Sequence, residues 1–105
     1  MTEVKVSVTF RHTQPTDALK RYAEEKVHKI GKYFYRPLDA HVVLSVDSRE
    51  RQLAEVTLKT RRLTIHGREE THDLYSAIDQ VVDKVEQQIR KYKTKMRLRR
   101  RRVKA

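Results

Sequence analysis

The chain has no cysteine, no tryptophan, two glycines and two prolines among its 105 residues. Without cysteine it forms no disulfide, carries no thiol nucleophile and offers no thiolate to a metal. Two glycines are too few for the glycine-rich phosphate loops of P-loop and dinucleotide-binding proteins. The longest apolar runs are three residues, at 33–35 and 42–44, so no segment is long enough to span a bilayer. The first ten residues alternate and lack the apolar block of a signal peptide, which predicts a cytoplasmic protein.

Positive charge is in excess, and nearly all of the excess lies at the end of the chain. There are 25 Lys and Arg against 14 Asp and Glu, for a formal net charge of +11. Residues 1–89 hold fifteen basic and fourteen acidic side chains, whereas residues 90–105 hold ten basic and no acidic ones. This pattern predicts a folded domain with a polyanion-binding extension, and it favours RNA, DNA or an anionic membrane over small neutral substrates. A basic end that serves only solubility or targeting, or a disordered linker stub, is the alternative from composition alone.

Period-two alternation of apolar residues predicts four strands. Three cover residues 4–10, 40–46 and 54–58, and a shorter fourth contains Leu63 and Ile65. The charged stretches 47–52 and 60–62 are expected to supply the turns between the last three strands.

Helical spacing of apolar residues predicts two helices. The first has Thr16 as its N-cap and stops by Arg36, because Pro37 disfavours helical geometry in the residue before it. The second runs from near Asp73 to about Leu98, a length of about 39 Å that carries its basic end past the core. Its core-facing stripe comprises Leu74, Ile78, Val81, Val82, Val85, Ile89, Tyr92 and Met96. The order β-α-β-β-β-α predicts an α+β fold, with two helices side by side on one face of a four-stranded mixed sheet.

Basic residues of both helices form the predicted nucleic-acid surface. Lys84, Lys91 and Lys95 share one flank of helix two because they are spaced by seven and four residues, and we expect that flank to lie beside helix one. About six phosphate contacts would make log affinity fall with log salt with a slope of roughly −4 to −5. The predicted RNA-binding residues are Arg21, His28, Lys29, Lys32, Lys84, Arg90, Lys91, Lys93, Lys95, Arg97, Arg99, Arg100, Arg101 and Arg102.

Catalysis has little support in the sequence. The five histidines lack close zinc spacing, and the serines lie in no nucleophile motif. Asp79, Asp83 and Glu86 form an acidic helix face that the helix dipole explains better than a bound Mg²⁺. We therefore expect a binding protein that is not an enzyme, with no cofactor and no metal.

Aromatic residues give little sign of base readout. The solvent-facing strand positions include no aromatic side chain, which disfavours base stacking on the sheet. Phe34 is expected in the core, whereas Tyr33 and Tyr35 are candidates for stacking on a base.

Two segments resemble a known family. PTDALKRYAEEKVHKIGKYF (15–34) and DLYSAIDQVVDKVEQQIRKYKTK (73–95) are similar to the ribosome hibernation promoting factors and ribosome-associated inhibitor A, whose older label is sigma-factor modulation protein. The resemblance covers essentially the whole chain. It implies a bacterial or plastid stress factor whose helices insert between head and body of the small ribosomal subunit, against rRNA where mRNA and the A- and P-site tRNAs lie. It therefore implies the small subunit and its rRNA as partners, a translation block, and the bacterial cytosol as location.

The resemblance also assigns residues. The family's basic surface is matched by Lys84, Arg90, Lys91, Lys93 and Lys95 on helix two and by Lys29 and Lys32 on helix one. Its D-[LM]-Y-x-A-I-D motif is matched by Asp73, Tyr75, Ala77, Ile78 and Asp79, of which Tyr75 and Asp79 are expected to support the helix start. Gln87 replaces an arginine that many members carry, which removes one expected phosphate contact. Gly67 stands where Ala is usual, an exchange expected to be harmless at a strand end.

Residues 90–102 resemble the long members of the family, which continue through a linker into a second domain that pairs ribosomes. We expect residues 1–96 to form the ribosome-binding domain and 97–105 a basic tail, without ribosome pairing by this chain alone. Neither a small-molecule substrate nor a membrane is expected as a partner, and Lys and Arg near the sheet edges predict a monomer when free. Two alternatives stay open: a general double-stranded-RNA or nucleic-acid binder, and a protein-binding modulator of a transcription (sigma) factor.

Overall fold

The strands and helices follow one another in the predicted β-α-β-β-β-α order. The computed structural model describes residues 3–103, and their side chains as far as Arg97. Its elements are β1 (Val4–Arg11), α1 (Asp17–His28), a 3₁₀ helix (Lys29–Tyr33), β2 (Leu38–Ser48), β3 (Arg51–Lys59), β4 (Thr64–Thr71) and α2 (Leu74–Val103). The predicted α+β class is confirmed.

The four strands form one mixed sheet in the order β1-β2-β3-β4. β1 and β2 are parallel, with Val4 opposite Leu38, because a helix connects them. β2, β3 and β4 are antiparallel neighbours joined by short turns. The turn between β2 and β3 is only residues 49–50, narrower than the charged stretch 47–52 had predicted, since charged side chains also occupy the exposed ends of these strands.

The fourth strand is longer than predicted. β4 has eight residues and continues through Arg68, Glu69 and Glu70 to Thr71, whereas Leu63 lies outside it. Because these residues are charged, the alternation of apolar residues did not predict this part of the strand. They fit an edge strand because Arg68 and Glu70 pair with charged side chains of β3, and Glu69 pairs with Lys84 of α2.

Capping side chains set both helix starts. Thr16 Oγ1 accepts a hydrogen bond from the Leu19 N–H at 3.2 Å, which confirms the predicted N-cap of α1. Asp73 Oδ2 accepts from the Ser76 N–H at 3.2 Å and caps α2 in the same way. The α-helical geometry of α1 ends at His28, and the following 3₁₀ helix contains Gly31, a residue that weakens α-helices. Sequence periodicity had predicted one helix through both segments.

Both helices pack on one face of the sheet, where a single apolar core lies. The stripe of α2 is buried from Leu74 to Ile89, but Tyr92 and Met96 are 38% and 36% exposed. The prediction that these two residues face the sheet is therefore wrong. β4 begins at Thr64, so α2 passes the last strand residue that would cover them. With 30 residues, α2 is about 45 Å long, and the molecule extends 55 Å along its longest axis.

Gly67 lies buried in the middle of β4, directly under α2. A Cβ placed on it would lie 2.8 Å from Val85 Cγ2 and 3.1 Å from Val81 Cγ2. The expectation of a harmless glycine-for-alanine exchange at a strand end is wrong, because this glycine sets how closely the helix approaches the sheet.

Candidate nucleic-acid interface

A polar bridge joins the first half of α2 to α1. Tyr22 Oη of α1 donates a hydrogen bond to Asp79 Oδ1 at 2.5 Å, and Lys26 Nζ lies 3.6 Å from the same oxygen. The hydrogen bond to the Asp79 carboxylate, together with burial, raises the pKa of Tyr22 to about 12. Tyr75 packs edge-on against Tyr22 with ring centroids 5.0 Å apart. Tyr75 and Asp79 of the family motif therefore hold the two helices together.

A second bridge lies about two helical turns farther along α2, at the end of the 3₁₀ helix. Tyr33 Oη donates to Glu86 Oε2 at 3.1 Å, and Arg90 Nη2 donates to both Tyr33 Oη at 3.2 Å and Glu86 Oε2 at 3.3 Å. The hydrogen bond to Tyr33 raises the pKa of Arg90 above its already high value. Lys93 Nζ donates to the Tyr33 carbonyl. Arg90 and Lys93 thus donate hydrogen bonds within this bridge and are also in contact with solvent.

Three cations converge on the Tyr33 ring. The Nζ atoms of Lys32 and Lys93 lie 5.2 and 5.8 Å from its centroid, and Arg90 contacts its hydroxyl. Lys32 and Arg90 are exposed at the surface. The structure therefore brings together one helix-one cation and two helix-two cations of the predicted site.

The flank of α2 that carries Lys84, Lys91 and Lys95 does not lie beside α1, contrary to expectation. Lys84 Nζ pairs with Glu69 Oε1 of β4 at 2.7 Å, and Gln88 on the same flank donates to the His66 carbonyl of β4. The α1 side of the helix is occupied by Asp79, Glu86, Arg90 and Lys93 instead. Spacing alone groups residues on a flank but does not say which neighbour that flank faces. α2 consequently carries cations on two separate flanks.

Every predicted cation whose side chain is described lies outside the core, and most of them are exposed. The exposed residues of the predicted set are Arg21, His28, Lys29, Lys32, Lys84, Arg90, Lys91, Lys95 and Arg97. The side chains of Arg99, Arg100, Arg101 and Arg102 lie outside the described residues, although the α2 backbone continues through them.

Three arginines that the sequence prediction omitted lie close to the end of the helix pair. Arg36, Arg61 and Arg62 line a groove together with residues of α2 such as Lys93 and Arg97. The predicted strand order could have revealed them. β2 and β3 are antiparallel neighbours, so the start of β2 and the β3–β4 turn lie at the same end of the sheet.

The open face of the sheet carries a polar row across all four strands. Ser7, His41, Thr57 and His66 are successive register partners, with Oγ to Nδ1 distances of 2.6 Å for Ser7–His41 and 3.0 Å for Thr57–His66. Within the described part of the chain, no three His, Cys, Asp or Glu side chains are grouped to hold a metal ion. The same residues include no helix that is both long and apolar enough to cross a membrane.

Comparison with known proteins assigns the chain to a family. The family model for Sigma 54 modulation protein / S30EA ribosomal protein matches residues 6–97. The ribosome hibernation promotion factor of Lactococcus lactis subsp. cremoris is 39% identical over 95 residues, which are 89% of this chain and 51% of the relative. That of Staphylococcus aureus is 39% identical over 83 residues, 77% of this chain and 44% of the relative. The chain thus spans about half the length of these curated relatives.

Two solved structures share the fold. The N-terminal domain of Protein Y from Thermus thermophilus superposes with a TM-score of 0.76 at 31% identity, covering 87% of this chain and 99% of that one. A ribosomal subunit interface protein from Coxiella burnetii gives a TM-score of 0.74 at 22% identity, covering 86% and 98%.

Proposed function

This chain belongs to the Sigma 54 modulation protein / S30EA ribosomal protein family, and from that premise we propose that it binds the small ribosomal subunit, blocks translation and promotes ribosome hibernation. The family match over residues 6–97 is the observation that carries the proposal. Relatives at 39% identity named ribosome hibernation promotion factors support it. A ribosome-associated role in turn supports a cytoplasmic location.

The proposed binding surface is the exposed, cationic surface of the helix pair. Lys91 and Lys95 would contact phosphate oxygens of rRNA from one flank of α2. Arg90 on the other flank, together with Lys32 of the 3₁₀ helix, would contact them beside Tyr33. Such contacts release counterions and give affinity without reading sequence. The remaining members proposed for rRNA contact are Arg21, His28, Lys29, Lys84, Lys93, Arg97, Arg99, Arg100, Arg101 and Arg102.

We place the bound protein in the decoding cleft, across the mRNA path and the A and P sites. The α2 helix is about 45 Å long and the molecule measures 26 Å by 17 Å along its two shorter axes, so a bound copy would occupy space that nucleic acid would otherwise take. In this arrangement the block is steric, so it requires neither a catalytic residue nor a cofactor. Residues 1–96 form the proposed ribosome-binding domain and 97–105 its basic tail.

Binding to isolated small subunits tests the proposal. We expect the protein to cosediment with small subunits at moderate salt, and to prefer them over an equal mass of arbitrary duplex RNA. Equal affinity for both would support a general nucleic-acid binder instead, and absence of cosedimentation would contradict the proposal.

A further inference from the structure

A groove of about 550 Å³ opens at the end of the sheet where β2 starts and β3 ends. It lies between the segment after the 3₁₀ helix, the β3–β4 turn and the part of α2 that follows Ile89. Tyr92 and Met96, which are no longer buried in the core, line it. One wall of the groove is therefore the part of α2 that extends beyond the sheet.

Tyrosine rings form much of the groove's lining. Tyr35 is fully exposed and Tyr92 is 38% exposed, although both are large and partly apolar. Tyr33 is held in place by its hydrogen bonds to Glu86 and Arg90, and Lys93 lies within about 6 Å of the centroids of both Tyr33 and Tyr35. The groove therefore offers one ring fixed by hydrogen bonds, Tyr33, and two accessible rings, Tyr35 and Tyr92, next to a cation.

The charged residues that line the groove, as far as the chain is described, are all cations, while the Glu86 carboxylate that Tyr33 and Arg90 contact lies outside the lining. The residues lining the groove include five cations, Arg36, Arg61, Arg62, Lys93 and Arg97, and no Asp or Glu. Among the described residues no carboxylate pairs with Arg36, Arg61 or Arg62. Close arginines without a counter-charge repel one another, so the groove is complementary to an anion.

We propose that this groove binds unpaired RNA, with a base stacked on Tyr35 or Tyr92 and the neighbouring phosphates on Arg61 and Arg62. Grooves that bind single strands combine a cationic track with aromatic stacking platforms, and both are present here. An acidic protein segment would satisfy the arginines but would leave the tyrosine rings unused. The inference rests on RNA as the proposed partner, and it adds to the phosphate-binding helix surfaces a separate contact for single strands.

The absence of tryptophan makes the binding directly measurable. Tyr35→Trp introduces a single indole at a fully exposed position, where the larger ring has no packing to disturb. Titration with a decamer of uridylate is expected to quench this indole saturably. A blunt RNA duplex of equal length and a decamer of glutamate are expected to bind at least about 5-fold more weakly, because neither presents an unstacked base.

Matched variants separate stacking from general charge attraction. Tyr92→Ala and the pair Arg61→Ala/Arg62→Ala should each weaken uridylate binding, followed by anisotropy of a labelled RNA, at least about 5-fold. The control pair Arg11→Ala/Arg49→Ala removes the same charge at the opposite end of the sheet and should leave affinity within about 2-fold. Equal losses from the two arginine pairs, equal binding of the glutamate decamer, or binding without indole quenching would each overturn the proposal. Saturable self-association that the groove variants abolish would also overturn it, since a second copy would then be the occupant.

The assay is independent of the ribosome. Wild-type protein that cosediments with small subunits but fails the uridylate test contradicts only the groove. Protein that passes the uridylate test but does not cosediment contradicts only the ribosome proposal.

Discussion

At the scale of single residues, one tyrosine hydroxyl links the two helices. Tyr22 Oη donates to Asp79 Oδ1, and Lys26 Nζ lies 3.6 Å from the same oxygen. Tyr22→Phe should lower the free energy of unfolding by about 1 kcal/mol at pH 8, the usual value of a hydrogen bond in proteins. Tyr75→Phe is the matched control, because it keeps the ring that packs on Tyr22. Denaturant titration of the three proteins measures the differences.

The same hydroxyl predicts a pH dependence. Folding raises the pKa of Tyr22 from 10.0 to about 12, so between these values the folded chain keeps a proton that the unfolded chain has lost. The stabilisation is therefore complete below pH 10 and is lost as the pH rises through about 12. The difference between wild type and Tyr22→Phe should shrink over this window. A difference that stays constant from pH 9 to 12 would contradict the hydrogen bond to Asp79.

Gly67 predicts a second effect at the residue scale. Gly67→Ala forces a methyl group against Val85 and Val81, and overpacking of this kind costs about 1–3 kcal/mol. Val85→Ala removes the atom that lies 2.8 Å away, so it should be less costly in the Gly67→Ala protein than in wild type. Thermal unfolding of the four proteins of this cycle gives the coupling. Additive losses would show that the two side chains do not meet.

At the scale of elements, α2 changes role along its length. Up to Ile89 its stripe is buried in the core, whereas beyond Ile89 the same stripe lines the groove. Val85→Asp should cost at least about 3 kcal/mol, because Val85 is fully buried and a carboxylate there has no partner. Met96→Asp, at the same helical phase but exposed, should cost less than about 1 kcal/mol. Urea unfolding distinguishes the two, and equal costs would mean that the core extends farther along the helix.

Charge reversal on the flank of α2 that carries Lys84, Lys91 and Lys95 tests the proposed RNA-binding surface. Lys91→Glu/Lys95→Glu should reduce small-subunit binding at least about 10-fold and lower the salt slope by about 2, with unchanged thermal stability because both lysines are exposed. Arg11→Glu/Arg49→Glu makes the same charge change at the end of the sheet opposite to Lys91 and Lys95 and should preserve binding. Cosedimentation across a salt series measures both proteins. Unfolding of the lysine variant would mean that this helix face is misplaced.

Period and topology explain which elements were predictable. Burial against one core requires apolar residues at every second position of the strand at 4–10 and along one stripe of α2 up to Ile89. The spacing of apolar residues therefore predicted both elements. The far half of β4 was missed because an edge strand can carry charged residues whose partners lie on neighbouring elements. The spacing correctly grouped Lys84 with Lys91 and Lys95 on one flank of α2. It could not show that this flank lies beside β4, because that depends on how the helix packs against the other elements. Arg36, Arg61 and Arg62 were missed because their proximity arises only when the sheet forms.

At the scale of the whole molecule, a nearly neutral body holds a cationic helix that extends beyond it. The radius of gyration of 15.3 Å exceeds the value of about 13 Å expected for a compact domain of 100 residues, as the protruding end of α2 requires. The body's role in this account is to hold both helices rigidly in one orientation through the Tyr22 and Tyr33 bridges. In the proposed function, the positive charge would attract RNA and the helix pair would occupy the space of other ligands.

The most direct test of the central claim is cosedimentation with whole ribosomes across a salt series, with and without mRNA and tRNA. We expect binding that weakens as salt rises and that mRNA with A- and P-site tRNAs abolishes, because these ligands fill the same cleft. Binding that is indifferent to mRNA and tRNA, or no binding at moderate salt, would contradict a hibernation factor that acts at the decoding site.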